Sequence, residues 1–397
     1  FYFITTDTYD LEAGHFIVTA EDPRGPWSLP VHLPEAIGID PDIAWDDDGT
    51  CLVTWHKFDW RLGGQSVLQA RVDPSAGELL GEPYEVWQGS GLPAAEGPHL
   101  YRIGKWWYLM LAEGGTEKGH CVTVARAKRP EGPYEGCPAN PILTSRSTFS
   151  AVQCTGHADL VTTPDGGWAA VYLGNRPQGP TPGYHVIGRE SFIAGIDWVD
   201  EWPVFVRDRF NVPRFDTGFH DRFDHENLNP RWVVPSGELD GLVRPAGGGL
   251  VVPAETLLSV RVRDLRWTAA AAVRSGSFSL RIDPRHAFGV TVRDGRAEAW
   301  AVIGGQRHAL GTCAVADDGA ILTIEAVDPD GPAVPRGDAG PDQIVLSASS
   351  GGTTSELGRL DGRYISTEVA AGFTGRVLAL GDETAATHAQ EFIYSPR

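Results

Sequence analysis

Residues 96–113 read EGPHLYRIGKWWYLMLAE, which is a polar motif, a turn at Ile103-Gly104 and then an aromatic strand. Similar aromatic strands begin at residues 1, 51 and 168, so that successive copies lie 50, 55 and 62 residues apart. A repeat of this length with about four strands has the size of a β-propeller blade. The four copies predict four blades. Because no upstream strand or turn precedes the first copy, we expect a fifth blade to complete the propeller.

The remainder of the chain is also predicted to consist of strands. Residues 258–263 and 278–282 alternate between apolar and polar side chains, a pattern typical of strands with one buried face. The 48 glycines and 29 prolines favour many short strands joined by tight turns. We therefore predict an all-β protein, with a propeller over residues 1–205, a linker over 206–218 and a β-sandwich over 219–397.

Composition excludes several classes of function. The net charge of −19 would repel nucleic-acid phosphates, whereas it is compatible with a neutral polysaccharide. No stretch approaches the roughly 18 apolar residues of a membrane span. The five cysteines are odd in number and form no close CxxC pair, which favours reduced thiols in a cytoplasmic protein over zinc or disulfides. Secretion after removal of a signal peptide is the alternative.

Three residues share one position in the repeat. Asp40, Glu96 and His157 precede their aromatic strands by 11, 10 and 11 residues. Equivalent positions on successive blades converge on the propeller axis, so we expect these side chains to meet, and facing carboxyl groups there suit glycoside hydrolysis. Taken singly, each has a structural explanation: Asp40 as a turn residue, Glu96 in a solvated loop, His157 as a core histidine. The shared spacing favours a site.

The motifs around these residues resemble those of family 43 glycoside hydrolases, which are β-xylosidases and α-L-arabinofuranosidases. The resemblance covers most of the first 205 residues. It rests on the motifs at 40–41, 96–99, 112–116, 140–144, 156–161, 174–177 and 188–190. It implies a five-bladed propeller enzyme that hydrolyses a terminal pentose with inversion.

The resemblance also implies roles for single residues. Glu96 matches the general acid, and Asp40 matches the aspartate that raises the pKa of the acid and orients it. His157 matches a histidine beside a metal at the axis, usually calcium; no organic cofactor is implied. Substrate contacts would come from Arg176 and from the aromatic side chains Phe58 and Trp60.

One part of the family pattern is missing. The general base of the family is an aspartate in an Asn-Pro-Asp-Pro-like segment, and Phe1–Asp7 resembles a strand downstream of that segment. Asp7 and Asp10 are possible replacements that do not match the motif. We therefore expect a further N-terminal segment that carries the base, either as a bound fragment or as part of a longer chain.

The second half resembles the lectin-like β-sandwich appended to many members of the family. Residues 221–232 resemble its opening, and residues 366–375 resemble a segment whose phenylalanine narrows the catalytic pocket. Phe373 is the matching residue, with packing in the core as the alternative explanation.

These observations predict an exo-acting hydrolase that releases α-L-arabinofuranose or β-D-xylose from arabinoxylan-type oligosaccharides. The motifs at 156–161 and 173–177 favour arabinofuranose. A non-catalytic carbohydrate-binding protein is the main alternative, and a scaffold for protein partners is a weaker one because it would need no converging carboxylates.

Overall fold

Strands make up nearly all of the regular structure. A computed structural model describes residues 1–58, 65–235, 242, 248–329 and 339–397. The chain folds into two compact units, the first formed by Phe1–Gly174 and Ser191–Val212, the second by Asn175–Glu190 and Pro213–Arg397. The all-β prediction is confirmed. No helix of the described residues has the length and apolar character needed to cross a bilayer.

The first unit is a β-propeller with four antiparallel blades among its described residues. Blade 1 contains β1 (Tyr2–Thr6), β2 (His15–Thr19) and β3 (Val31–Leu33), with a 3₁₀ helix at Leu11–Ala13. Blade 2 contains β4 (Ile39–Trp45), β5 (Cys51–Phe58), β6 (Gln65–Asp73), β7 (Glu78–Leu79) and β8 (Tyr84–Glu85). Blade 3 contains β9 (Glu96–Ile103), β10 (Trp106–Glu113), β11 (Cys121–Ala127), β12 (Glu135–Gly136) and β13 (Leu143–Thr144). Blade 4 contains β14 (Gln153–Thr162), β15 (Trp168–Asn175), β16 (Glu190–Val199) and β17 (Trp202–Val206).

The predicted aromatic strand that begins at residue 1 is β1 of blade 1, and the other three are the second strands of blades 2, 3 and 4. These are β5, β10 and β15, and their side chains alternate between two neighbouring blades because strand residues point to opposite faces in turn. In β10, Trp107 and Leu109 pack toward blade 2, whereas Tyr108 and Met110 pack toward blade 4. Burial on both faces explains why these strands are rich in apolar and aromatic side chains, and why the repeat is visible in the sequence.

The second unit is a β-sandwich built on one long, bent strand. Its strands are β18 (Phe219–Asp221), β19 (Leu250–Val252), β20 (Leu258–Arg261), β21 (Trp267–Asp283), β22 (His286–Arg293), β23 (Arg296–Ile303), β24 (Gln306–Ala314), β25 (Ala320–Val327), β26 (Gln343–Ser350), β27 (Thr353–Asp361), β28 (Val377–Leu380) and β29 (Thr387–Pro396). A 3₁₀ helix at Gly362–Ile365 and the short helix α1 (Thr367–Ala370) precede β28.

The strand β21 belongs to both layers of the sandwich. Its first half pairs with β25 and β29, and its second half pairs with β22 and β28. The change occurs near Gly276, whose φ is 102° and where an added Cβ would lie 2.2 Å from the Thr387 hydroxyl. Large side chains such as Trp267 and Phe278 fill the core between the layers.

The two units are not continuous in sequence. Residues 175–190, which lie between β15 and β16, belong to the second unit. The Glu368 carboxylate accepts a hydrogen bond from the His185 backbone N–H at 2.9 Å and lies 2.6 Å from the Nδ1 atom of the His185 ring. The Arg261 guanidinium donates to the Ile187 carbonyl at 2.7 Å. The predicted boundaries, 1–205, 206–218 and 219–397, follow the chain linearly and stay a prediction.

Candidate active site

The first strands of blades 2, 3 and 4 share an unusual backbone conformation near their beginnings. Asp40 in β4 has φ 53°, Gly97 in β9 has φ 55° and His157 in β14 has φ 53°. Positive φ is uncommon outside glycine and marks positions that the surrounding structure holds in place. The repeat of one backbone conformation on three blades indicates three equivalent positions.

Strand pairing shows which residues of blades 2 and 3 occupy equivalent positions. Glu96 pairs with Ala112, and Ile39 pairs with β5 in the matching position; in both blades a β-bulge follows. Asp40 is therefore equivalent to Gly97, and Glu96 lies one residue earlier. The near-equal sequence offsets concealed this shift, because the turn after β4 spans residues 46–50 whereas the turn after β9 spans only 104–105.

The three equivalent residues are in contact. The Asp40 carboxylate accepts a hydrogen bond from the Gly97 N–H at 3.2 Å, and the same oxygen lies 3.4 Å from His157 Nε2. A Cβ at position 97 would lie 2.7 Å from the His157 ring, so glycine is required there. The structure thus brings Asp40 and His157 together and places Glu96 next in the chain to their shared neighbour.

Asp40 is held in its ionised form. Burial alone would raise the pKa of this carboxyl group, but the hydrogen bond and charge of His157, together with the Gly97 N–H, outweigh burial and lower it. The carboxylate is only about a quarter exposed, with 27% of its side-chain surface accessible. A fixed negative charge therefore lies beside the residue that follows Glu96.

A second layer of contacts lies two residues further along the same strands. His99 joins two carboxylates, with Nδ1 3.2 Å from Asp42 and Nε2 3.2 Å from Asp159. Asp42 also accepts from the Leu100 N–H at 2.9 Å. Burial favours a lower pKa for His99, but the hydrogen bond that its ring donates to Asp42 and the charges of both carboxylates outweigh burial and raise it. This layer, which we call the 42–99–159 layer, links blades 2, 3 and 4.

The 42–99–159 layer was missed in the sequence, although the signal was present. His99 and Asp159 belong to the motifs at 96–99 and 156–161, and Asp42 directly follows the motif at 40–41. The three residues follow Asp40, Gly97 and His157 by two positions. Since strand residues two apart share a face, the same spacing argument would have identified them.

Glu113 fixes the loop that leads into β9. Its carboxylate is fully buried and accepts hydrogen bonds from the Ser90 N–H at 3.1 and 2.9 Å and from the Thr123 hydroxyl at 2.5 Å. A Cβ on Gly89 would lie 2.4 Å from the same carboxylate. Glu113 is therefore a positioning residue for the chain segment that ends at Glu96.

Blade 1 contributes a buried histidine near Asp40. His15 is completely buried, and its Nδ1 lies 3.2 Å from the Thr6 hydroxyl. Burial lowers its pKa to about 4, although the negative charge of Asp40 acts in the opposite direction. The ring is therefore neutral at physiological pH.

The two aspartates considered as replacements for the base are engaged in turns. Asp7 accepts from the Tyr9 and Asp10 N–H groups at 3.0 and 3.2 Å, and Asp10 accepts from the Glu12 N–H at 3.2 Å. Both carboxylates stabilise the segment around the 3₁₀ helix at Leu11–Ala13. That an N-terminal segment supplies the base stays a prediction.

Arg176 and Phe373 lie in the second unit. Arg176 forms a two-pronged ion pair with Glu190, with both N–O distances at 2.8 Å. Phe373 is 53% exposed, and the Arg189 guanidinium lies 4.0 Å from its ring centre. Trp60 and the side chain of Phe58 lie outside the described part of the structure.

The residues around His157 do not make a typical calcium cage. Calcium prefers six to eight oxygen ligands, whereas His157 offers an imidazole nitrogen. Across the described ranges, no group of three or more His, Cys, Asp or Glu side chains is arranged to hold a metal ion. Calcium at the axis stays a prediction, and no step of the chemistry below depends on it.

Comparison with known proteins places this geometry in a family. The family model for Glycosyl hydrolases family 43 matches residues 1–203. A protein from Bacteroides ovatus named non-reducing end alpha-L-arabinofuranosidase is 30% identical over 411 residues, covering 96% of this chain and 75% of that protein. A Butyrivibrio fibrisolvens protein named xylosidase/arabinosidase is 40% identical over 219 residues, but the match covers only 51% of this chain and 40% of that protein.

The structure resembles solved structures of proteins described as members of the same family. A solved structure described as Bacteroides ovatus Xyloglucan PUL GH43B superposes with a TM-score of 0.82 at 27% identity, over 97% of this chain and 81% of that one. The likeness extends through both units, whereas the family model covers the propeller. The contacts of Asp40, Gly97 and His157 thus occur within the part of the chain that the family model matches. The chain belongs to glycoside hydrolase family 43.

Proposed function

We propose that the protein is an exo-acting glycoside hydrolase that removes terminal pentose units, with inversion, from arabinoxylan-type oligosaccharides. The observation that carries this proposal is the contact of Asp40 with Gly97 and His157, which fixes the backbone beside Glu96. Family membership supports the reaction class. The names of the relatives, xylosidase/arabinosidase and alpha-L-arabinofuranosidase, support the pentose.

In this proposal Glu96 is the general acid. Its carboxyl group donates a proton to the glycosidic oxygen as the bond to the anomeric carbon breaks. Asp40, held ionised by His157 and the Gly97 N–H, orients the acid and disfavours early loss of its proton, since a neighbouring negative charge opposes a second one. Arg176, already paired with Glu190, would offer guanidinium N–H groups to sugar hydroxyls.

Inversion requires a second carboxylate across the sugar. The two groups stand roughly 6.5–9.5 Å apart in inverting enzymes, leaving room for the attacking water. The base removes a proton from that water as its oxygen bonds to the anomeric carbon. Asp40 does not suit this role, because its carboxylate is committed to the Gly97 N–H and to His157 beside the acid.

One relative supports arabinofuranose as the released sugar, whereas several others are named beta-xylosidases. The relative that aligns with 96% of this chain is named for non-reducing end arabinofuranose. We therefore propose α-L-arabinofuranose as the preferred sugar and β-D-xylose as the second.

The Glu96→Gln substitution tests the proposal on the whole protein. We expect turnover of an unactivated arabinose-bearing oligosaccharide to fall about 10²–10⁴-fold, the usual contribution of a general acid. The loss should shrink on a 4-nitrophenyl glycoside, because a good leaving group needs little protonation. Steady-state kinetics on both substrates provide the measurement.

Glu78→Gln, on the exposed outer strand β7, is the matched control and should leave turnover unchanged. Equal losses on both substrates would exclude Glu96 as the acid. If the unmodified protein binds the oligosaccharide without hydrolysing it, the alternative of a non-catalytic carbohydrate-binding protein is correct.

A further inference from the structure

A polar groove lies on the β-sandwich of the second unit, on the side of β21–β24 that faces away from the core. Phe278 and Leu280 point into the core, so that Ser277 and Arg281, which alternate with them, point into the groove. The groove has a volume of about 660 Å³. This lies within the roughly 300–1,000 Å³ of small-molecule sites.

A tryptophan forms the floor of the groove. Trp300 is only 2% exposed, and its indole N–H donates to the Thr291 hydroxyl at 2.9 Å. The Arg307 guanidinium lies 4.2 Å from the ring centre, and the Arg281 guanidinium lies 5.8 Å from it. A Cβ on Gly289 would approach the indole to 2.5 Å, so the ring sits closely against the sheet. Two guanidinium groups thus lie within 6 Å of the centre of one closely packed indole ring.

Arg281 is a buried cation without an ion-pair partner among the described residues. It is 9% exposed, and its Nε donates to the uncharged Ser279 hydroxyl at 3.0 Å. Burial, followed by repulsion from Arg307, lowers the pKa of Arg281 despite the opposing charges of Glu383 and Asp382. A buried charge that is not paired is unfavourable, and two nearby cations add to the effect.

One of the carboxylates that line the groove is engaged in other hydrogen bonds. Asp382 accepts from the Ser277 hydroxyl at 2.6 Å and from the Thr384 N–H and hydroxyl at 2.8 and 2.7 Å. Asp382 also lies 3.4 Å from the Arg293 guanidinium, so it is committed to Ser277, Thr384 and Arg293. The groove retains two guanidinium groups directed at the same space, an arrangement that matches a carboxylate.

We propose that this groove binds a uronic acid residue of an oligosaccharide, with its carboxylate between Arg281 and Arg307. A simple anion would fill only a fraction of the groove. The rim carries hydroxyl and carboxylate groups, including Thr384 and Glu298, that can bond sugar hydroxyls. Membership in a family of glycoside hydrolases leads us to choose a sugar as the source of the carboxylate. The inference rests on the second unit and not on the proposed catalytic function.

Ligand-observed NMR titration of the whole protein with D-glucuronate and D-glucose tests this site. The two sugars differ only at C6, so selective binding of glucuronate would report the carboxylate. We expect glucuronate to bind and Arg307→Gln to weaken its binding at least about tenfold, as for loss of a charge-assisted hydrogen bond. Arg274→Gln, an exposed arginine in β21 outside the groove, should leave binding unchanged.

Further results would overturn the proposal. Equal binding of glucose, or unchanged glucuronate binding in Arg307→Gln, would exclude carboxylate recognition here. Acetate binding as tightly as glucuronate would make the groove a simple anion site. A second variant, Arg281→Met, should abolish glucuronate binding while leaving the melting temperature equal or higher, because it removes an unpaired buried charge. A melting temperature well below that of the unmodified protein would show that Arg281 has a structural role instead.

Discussion

Gly97 shows how a single absent side chain can shape the site. The residue combines a positive φ with a close approach to the His157 ring, and its N–H holds Asp40. Any side chain at this position would push His157 away and loosen the Asp40 contact. The residue before it, Glu96, depends on the same backbone for its direction.

Gly97→Ala should therefore damage the site and the fold together. We expect kcat/KM to fall about 10²-fold, since small displacements of catalytic groups have effects of this size. The control is Gly104→Ala, which has the same kind of backbone (φ 60°) but no atom within 4 Å of the added Cβ. That variant should lose only about 1–2 kcal/mol of stability from the left-handed conformation, with normal kcat/KM. Equal behaviour of the two variants in kinetics and melting would contradict this account of Gly97.

Among the elements, the first strands of blades 2, 3 and 4 are joined side by side through the 42–99–159 layer. The layer crosses two blade boundaries with one imidazole. The acceptors of its hydrogen bonds are carboxylates, and hydrogen bonds to charged groups are stronger than those between neutral groups. It therefore ties together the strands that carry Asp40, Gly97 and His157.

Breaking this layer should destabilise the propeller as a set of blades. We expect His99→Gln to lower the free energy of unfolding by about 2 kcal/mol or more, because two hydrogen bonds to charged groups are lost or weakened. Urea denaturation gives the measurement. In an Asp42→Asn background the same substitution should have a smaller effect, since the two residues act on each other. Full additivity would mean that His99 and Asp42 stabilise the fold independently.

The sequence predicted the strands well, but it predicted less well which residues of neighbouring blades are equivalent. Strands buried on both faces, such as β5 and β10, are rich in apolar and aromatic side chains and are therefore recognisable in the sequence. The offset of Glu96 from Asp40 was hidden, because a short turn and a β-bulge each change the residue count without changing the pattern. The burial of Glu113 was not predictable, since its partners Ser90 and Thr123 are distant or unremarkable in the sequence. The groove around Arg281 depends on which strands become neighbours, which alternation alone does not determine.

For the molecule as a whole, His15 links stability to pH. Its folded-state pKa of about 4 is below the ordinary histidine pKa of about 6.5, so the unfolded chain binds more protons between these values. Stability must then fall as pH decreases from 6.5 to about 4, by up to about 3 kcal/mol for this one group. His15→Gln should flatten that part of the melting-temperature profile. His32→Gln, an exposed histidine on the neighbouring strand β3, should not. A profile unchanged by His15→Gln would assign the acid sensitivity to other groups.

Because residues 175–190 belong to the second unit, they restrict the positions at which this chain could be joined to part of a related protein. A gene exchange with one junction, placed after Val212, would transfer the blades together with a segment whose hydrogen-bonding partners, Glu368 and Arg261, stay behind. Tyr184, Val186 and Ile187, all buried, would then face water. We therefore expect a chimera joined after Val212 to fold less well than one that exchanges both units together.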